Sequence, residues 1–471
     1  MNNNKETKIL IISLIACLGI VGLGIWIYWK LTHPEGTKPP TPGQILSENK
    51  IILTTGEKEL IKTTEAKTKG ITAFAKLDYT EAINQFLQSL EQEKNDPEAL
   101  IYLNNARIGK NESYTIAVIA PVSKTSEKSA EILRGVAQAQ KKINSTDVKI
   151  NGKYLKIMIV DEGDEAEKAK KTADSLAKKP EVLGVIGHYS SGVTYEAGKI
   201  YKENKLVAIS PTSTSVKLDE LGDYIWRTPP SDRIAGNALS NYAINTLKKR
   251  KAVIFYDEKS AYSKSLKNVF SENFQKSGGE VIKEFDLQNK NFNAFGYIQQ
   301  VKSQNAEIIM LAPSSDKTIL DKAKLLVTAT ENGTATKKNK LPILAGDAFY
   351  SSNTLEIGNN LAGTVMAIAW HIKAHNNAPF VMEARQLWGA DISGRTVTSY
   401  DATQAFITAL KANPNPTREN IQQTLKKSDF KTEGATSTIS FFPTGDRNQP
   451  VQLVQVIKSP NSGYEFVPII P

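Results

Sequence analysis

The stretch Val182-Leu-Gly-Val-Ile186, running on into Gly187-His188-Tyr189-Ser190-Ser191-Gly192-Val193-Thr194, is a short apolar run that ends in a hydroxyl-rich turn. The same figure recurs downstream, where apolar residues 206–209 are closed by Ser210-Pro211-Thr212-Ser213-Thr214-Ser215. Short apolar runs bounded by turn residues and separated by amphipathic stretches mark buried parallel strands alternating with helices. Working outward, residues 115–119 and 155–160 read as earlier strands, and Ile132, Val136, Ala139 and Ile143 form one stripe of the helix between them. A second series begins with a helix near Asp232 and continues with strands over 252–255, 280–285, 308–311 and 343–345. At roughly 150 residues per domain, the double series is too long for one sheet. The expectation is a two-lobed α/β body, two doubly wound parallel sheets joined by a hinge, with any ligand between them at the carboxyl ends of strands.

The chemistry follows from what those strand ends carry. Ser191 stands where a helix begins, and free N–H groups at a helix start attract anions. Thr212, Ser213 and Thr214 form a second hydroxyl cluster on the same edge, and Asp347 follows the strand at 343–345, where its carboxylate would suit an ammonium group. The same residue types also cap helices and close turns, so each is open to that reading. No Walker loop, G-x-S-x-G elbow, H-E-x-x-H or strand-linked G-x-G-x-x-G is present, so neither enzyme nor cofactor is expected. Cys17 is the only cysteine, which excludes a disulfide framework and Cys-rich zinc modules. His371 and His375 have the spacing to share a metal on a helix, but Asn376, Asn377 and Pro379 follow, so a surface loop without metal is expected. The charge of +10, from 59 basic and 49 acidic residues, is spread along the chain and points to no nucleic-acid partner.

Residues 113–471 resemble the type I periplasmic binding proteins, in the branched-chain amino-acid receptor (Leu/Ile/Val-binding) group. The resemblance rests on Gly-Val-Ile-Gly-His-Tyr-Ser-Ser (184–191), Ala-Ile-Ser-Pro-Thr-Ser-Thr (208–214) and Trp-Arg-Thr-Pro-Pro-Ser-Asp (226–232), with Tyr262 after Phe255-Tyr-Asp257 and Ser399-Tyr-Asp-Ala402 opening a helix. It implies that Ser191, Thr212, Ser213 and Thr214 hold a ligand's α-carboxylate and part of its ammonium. It also implies that Tyr262 closes over the ligand from the second lobe and that Asp347 neutralises the ammonium. Asp347 stands where the family usually has Glu, and Ala312-Pro313-Ser314 replaces an expected aromatic.

The N-terminal part reads differently. Residues 9–29 are uncharged, long enough to cross a bilayer, and end in Trp26, Tyr28 and Trp29. An uncleaved anchor over 1–30 with the body outside is expected; a lipoprotein at Cys17 and ordinary cleavage compete with it. A Pro-rich linker (31–45) follows, then a helical stalk (46–112) in which residues 70–97 resemble one tetratricopeptide repeat, Gly70, Ala82 and Phe86 being its packing positions. The stalk is expected to lend no strand to the body, and a docking role competes with the plain stalk. Lobe 1 is assigned to 113–231 and 362–440, lobe 2 to 232–361 and 441–471. The function expected is an extracytoplasmic (periplasmic) solute-binding protein that captures an amino acid for an ABC permease; the alternative is a membrane-anchored sensory receptor.

Overall fold

A computed structural model describes residues 51–330, 340–460 and 463–470. Residues Leu53–Pro471 form one compact unit. The expected anchor and linker lie outside the described residues. Among the described residues no helix is long and apolar enough to cross a membrane.

The first sheet has the order β1 (Ile52–Thr54), β3 (Tyr154–Asp161), β2 (Ser113–Ile119), β4 (Val182–Ile186), β5 (Ala208–Ser210), β6 (Ile225–Arg227). From β3 to β6 every pairing is parallel. The helices that return the chain between these strands are α4 (Ser126–Asn144), α5 (Ala166–Ala177) and α6 (Ser191–Glu203). The second sheet begins after α7 (Asp232–Asn241). It contains β7 (Lys251–Tyr256), β8 (Glu280–Asp286), β9 (Ile308–Ala312), β10 (Ile343–Ala345) and β11 (Val365–Ile368), connected through α8 (Ala261–Lys276), α9 (Ala294–Ser303) and α10 (Lys317–Ala329). The antiparallel strands β14 (Gln452–Ser459) and β15 (Gly463–Pro468) extend it beyond β11. Between β11 and β14 the chain returns to the first lobe as α11 (Pro379–Trp388), α12 (Gly394–Lys411), α13 (Arg418–Leu425) and a two-stranded hairpin, β12 (Thr432–Glu433) and β13 (Thr438–Ile439). Gly135 is what lets α12 lie on α4: a Cβ there would sit 2.1 Å from the Thr396 carbonyl oxygen.

The lobe crossings fall later than the sequence suggests. Residues 362–368 belong to the second lobe, because Val365–Ile368 pairs with β10 and β14. Residues 441–447 belong to the first: Phe441 packs on Trp226 with ring centroids 5.2 Å apart, and the Arg227 amide donates to the Gly445 carbonyl at 3.0 Å. Arg227 also binds Asp446, Asp219 and the Ser215 carbonyl.

The helices before β2 correct the stalk expectation. They are α1 (Glu65–Ala75), α2 (Tyr79–Gln92) and α3 (Pro97–Ile108), and β1 supplies an edge strand beside β3. Gly70 admits the Phe86 ring, 2.7 Å from where a Cβ would be, and Ala82 and Phe86 are buried. In α3 almost every residue is buried, as in a helix covered on all sides. Its Asn105 donates to the Ile157 carbonyl in β3 (2.7 Å) and accepts from Gln140 in α4 (2.8 Å). A buried cluster ties the preceding loop down: Lys67 Nζ pairs with Asp96 (2.8 Å) and Glu98 (2.6 Å), while Glu98 accepts from the Leu60 and Ile61 amides. The module is therefore part of the first lobe's core, in which Ile101, Leu103 and Ile116 join one apolar cluster.

Candidate functional site

Between the lobes lies a cleft of about 690 Å³, bordered by the carboxyl ends of strands from both sheets. Its first wall is the N-terminus of α6. Ser190 is the N-cap residue, yet no side chain caps this helix. Ser191, Gly192 and Val193 line the cleft there, so the unpaired N–H groups of the first helical turn make an anion-binding edge. The wall is rigidly built. The Ser191 hydroxyl accepts from the Thr214 (3.2 Å) and Ser215 (3.3 Å) amides, stapling the second hydroxyl loop to the helix start. The His188 carbonyl collects hydroxyls from Ser210 (2.9 Å), Thr212 (3.3 Å) and Thr194 (3.3 Å). Behind it the buried His188 ring is held between Glu162 (2.6 Å) and Tyr201 (2.9 Å). Burial pushes the Glu162 carboxyl up, against the pull of His188.

The second wall comes from lobe 2. Tyr262 sits in the first turn of α8 and Asp347 in the turn after β10; both line the cleft. The Tyr262 hydroxyl lies beside the Asp347 carboxylate and accepts from the Ala348 amide at 3.4 Å. Burial raises the Asp347 carboxyl above its ordinary value, and the neighbouring Tyr262 hydroxyl and Arg395 pull it back. Burial drives the Tyr262 phenol well up, so it stays a donor.

Of the residues expected at the site, Ser191, Thr212, Tyr262 and Asp347 line this cleft together. Ser213 and Thr214 do not. Ser213 turns inward, its hydroxyl 2.7 Å from that of Thr194, and Thr214 lines a separate small cavity behind Tyr262. Arg395, Tyr189, Tyr350 and Trp370 also face the cleft and were not singled out from sequence. Arg395 opens α12 and donates to Glu131 at 2.9 Å. Tyr350 and Trp370 supply aromatic surface that Ala312-Pro313-Ser314 does not. The only signal for them was their position just past apolar strands. The segment after His371 is a surface loop as expected, with Lys373, Ala374, Asn376, Asn377 and Pro379 exposed, but His371 itself is buried, 4 % exposed, its Nδ1 accepting from the Lys373 amide at 3.1 Å, and burial lowers it to about 4. His375 stacks on Trp370. Among the described residues no group of His, Cys, Asp and Glu is placed to hold a metal.

The profile of the periplasmic binding protein family matches residues 113–462. The amino acid binding protein of Pseudomonas aeruginosa is 26% identical over 322 residues, 63% of this chain and 82% of that protein. The Leu/Ile/Val-binding protein homolog 1 of Brucella abortus is 25% identical over 328 residues, covering 68% and 84%. Among solved structures, a leucine-binding protein of Thermotoga maritima superposes with a TM-score of 0.63 at 23% identity, over 76% of this chain and 99% of that one. A solute-binding protein of Rhodopseudomonas palustris in complex with 3,4-dihydroxybenzoic acid gives 0.63 at 18% identity, over 76% and 96%. These two superpositions establish the two-lobed fold.

Proposed function

The chain belongs to the periplasmic binding protein family, and from that premise we propose that it is an extracytoplasmic solute-binding protein that captures an amino acid for an ABC-type transport system. One observation carries the reading: an uncapped helix N-terminus and an acid–phenol pair line the same cleft from opposite lobes. That arrangement offers one end to a carboxylate and the other to an ammonium group. The α6 edge takes the carboxylate with Ser191 and Thr212 beside it; Asp347, oriented by Tyr262, takes the ammonium. Binding both charges in a cleft that closes selects zwitterions, because a ligand lacking either charge leaves a buried group unpaired. Lobe closure about the crossings near Thr228, Trp370 and Val451 completes the cage without covalent chemistry. Curated relatives named as amino acid binding proteins support the ligand class.

The apolar run at 9–29 serves in this reading as an anchor that keeps the body outside the cytoplasm, and the α1–α2 pair is a single tetratricopeptide-like unit absorbed into lobe 1. The test is mass spectrometry of small molecules released from the purified full chain, followed by a thermal-shift panel of amino acids. An amino acid among the released molecules that raises the melting temperature is expected. Release of only other solutes, with no amino acid stabilising the protein, overturns the reading.

A further inference from the structure

Behind Tyr262 a second cavity of about 10 Å³ is lined by Thr214, Asp232, Tyr262, Gly346 and Asp347 among others, room for about one water-sized particle. Asp232 is the first residue of α7, at the crossing between lobes, and is 1 % exposed. Its Oδ2 and the Thr214 Oγ1 have no hydrogen-bond partner of sound geometry, although the hydroxyls of Ser265 and Thr214 lie beside the carboxylate. The charged or titratable groups that face Asp232 are Asp347, Tyr262 and Arg227. Arg227 is committed to Asp446 and Asp219. Arg395, which faces Asp347, is paired with Glu131. Among the described residues, the two arginines beside these acids are thus committed elsewhere, and the Tyr262 hydroxyl feels the charge of both acids.

Two carboxylates lining one pocket this small cannot both ionise cheaply. Resting on the amino-acid reading of the cleft, we propose that Asp232 and Asp347 form an acid pair that holds one proton while the cleft is empty and releases it to solvent when a cationic group docks on Asp347. The balance is simple: protonated protein plus cationic ligand gives the complex plus one free proton. The ligand's charge takes the place of the proton, so Asp232 reinforces the preference for an amino group without touching it. Burial, with the Asp347 charge adding to it, pushes Asp232 up to about 7, which places the exchange near neutral pH. Affinity for a cationic ligand then rises with pH, by up to about tenfold per unit below the pair's titration, and levels off above it. A neutral-headed analogue shows no such rise.

The first arm of the test needs no ligand. Infrared spectroscopy of the full chain carrying isotope-labelled aspartate, titrated from about pH 5 to about pH 9, reads buried protonated carboxyl directly. The expected result is a carboxyl component lost near neutrality in the wild type, beyond that of buried Asp401, which burial raises to about 6; Asp232→Asn removes this component and Asp347→Asn shifts it to lower pH. A wild type with no protonated carboxyl above about pH 6 overturns the acid pair, whatever the variants do. The second arm is calorimetry with L-leucine and its deamino analogue in buffers of low and high ionisation enthalpy. About one proton released per L-leucine just below neutrality, and none for the analogue, is expected. Binding of L-leucine without proton release overturns the exchange. Absence of L-leucine binding counts against the amino-acid reading alone, because the infrared titration still decides the pair.

Discussion

Asn105→Ala is the perturbation that most directly asks whether the N-terminal helices belong to the first lobe. The Asn105 carboxamide, 1 % exposed, fills every hydrogen-bonding position it has. Nδ2 donates to the carbonyls of Thr55 and Ile157, each at 2.7 Å, and Oδ1 accepts from the Ile157 amide at 3.2 Å and from Gln140 at 2.8 Å. The side chain thus stands in for a neighbouring strand at Ile157. Alanine strands both backbone groups of Ile157, which is fully buried. Gln140 keeps the Leu155 carbonyl at 3.0 Å, and Thr55 lies nearer to solvent. Two stranded groups at about 1–3 kcal/mol each give a loss of about 2–6 kcal/mol, a large share of an ordinary domain's stability of about 5–15 kcal/mol. Trp226, Trp370 and Trp388 all sit in the first lobe's core, so in a urea titration of the chain carrying Trp26→Phe and Trp29→Phe the fluorescence reports that lobe. The expected result is a lower midpoint for the tryptophan transition at unchanged m-value. A tryptophan transition shifted by less than about 1 kcal/mol, the size of one ordinary hydrogen bond, with helical signal lost separately and earlier, would show the helices to be an appended stalk.

Four further outcomes follow from the same contacts. A chain beginning at Ser113 lacks β1 and α3 and should aggregate rather than elute as a monomer; a soluble species melting like the full chain refutes the integrated core. Asp347→Ala should weaken amino-acid binding by about 3–5 kcal/mol, roughly two to three-and-a-half decades, and cost far less for a deamino analogue; equal losses by calorimetry would make Asp347 a structural cap. Gly135→Ala places a Cβ 2.1 Å from the Thr396 carbonyl and 2.5 Å from the Tyr400 amide. It should destabilise by about 1–3 kcal/mol or more, and an unchanged denaturation midpoint contradicts the packing of α4 on α12. Asp232 is raised in the folded chain from 3.8 to about 7, so its contribution is full below the lower value and lost as pH rises through the upper. The ligand-free wild type should therefore lose up to about 4 kcal/mol over that window, and Asp232→Asn should show a flatter melting profile.

What was readable in the sequence depended on how local its cause was. Val182–Ile186 and Ile343–Ala345 coincide with the strands expected, because each is an apolar run cut off by glycine or a turn. β1 and β6 are three residues each and both end in a polar residue, Thr54 and Arg227, with no glycine closing the run as Gly346 closes β10. β11 follows β10 through only short helical turns, and β14 pairs antiparallel to it, so no crossover helix announced them and the lobe boundaries drifted. The integration of α3 did have a signal: Leu100-Ile101-Tyr102-Leu103 is apolar on every face, with Asn104 and Asn105 the polar exceptions. Ser191, Thr212, Tyr262 and Asp347 sit at strand or helix ends, where local pattern and position coincide. Thr214 shares their chemistry but turns behind Tyr262, which no spacing rule foretells. Arg395 and Trp370 reach the cleft from a late return of the chain, and the burial of Asp232 is purely tertiary.

The two walls of the cleft are held in different ways, and this bears on the order of binding. On the lobe 1 side, the Ser191 staple and the His188 carbonyl hub fix the backbone with bonds made wholly within that lobe. Such a wall needs no ordering when a ligand arrives, so little entropy is lost there. The lobe 2 wall depends on Tyr262 and Asp347 completing each other across the α8 start and the β10 turn, and that pair borders an acid on the crossing itself. A carboxylate can thus settle on the α6 edge in an open cleft, whereas an ammonium group finds its full complement only when lobe 2 has swung in. On the proposed function, capture begins at lobe 1, and closure is driven by the charge that Asp347 alone leaves unanswered. A neutral-headed ligand would dock on the first wall and leave the lobes free to reopen. Small-angle scattering of the full chain saturated with L-leucine and with its deamino analogue separates the two cases, and equal compaction by both would place the driving contact elsewhere.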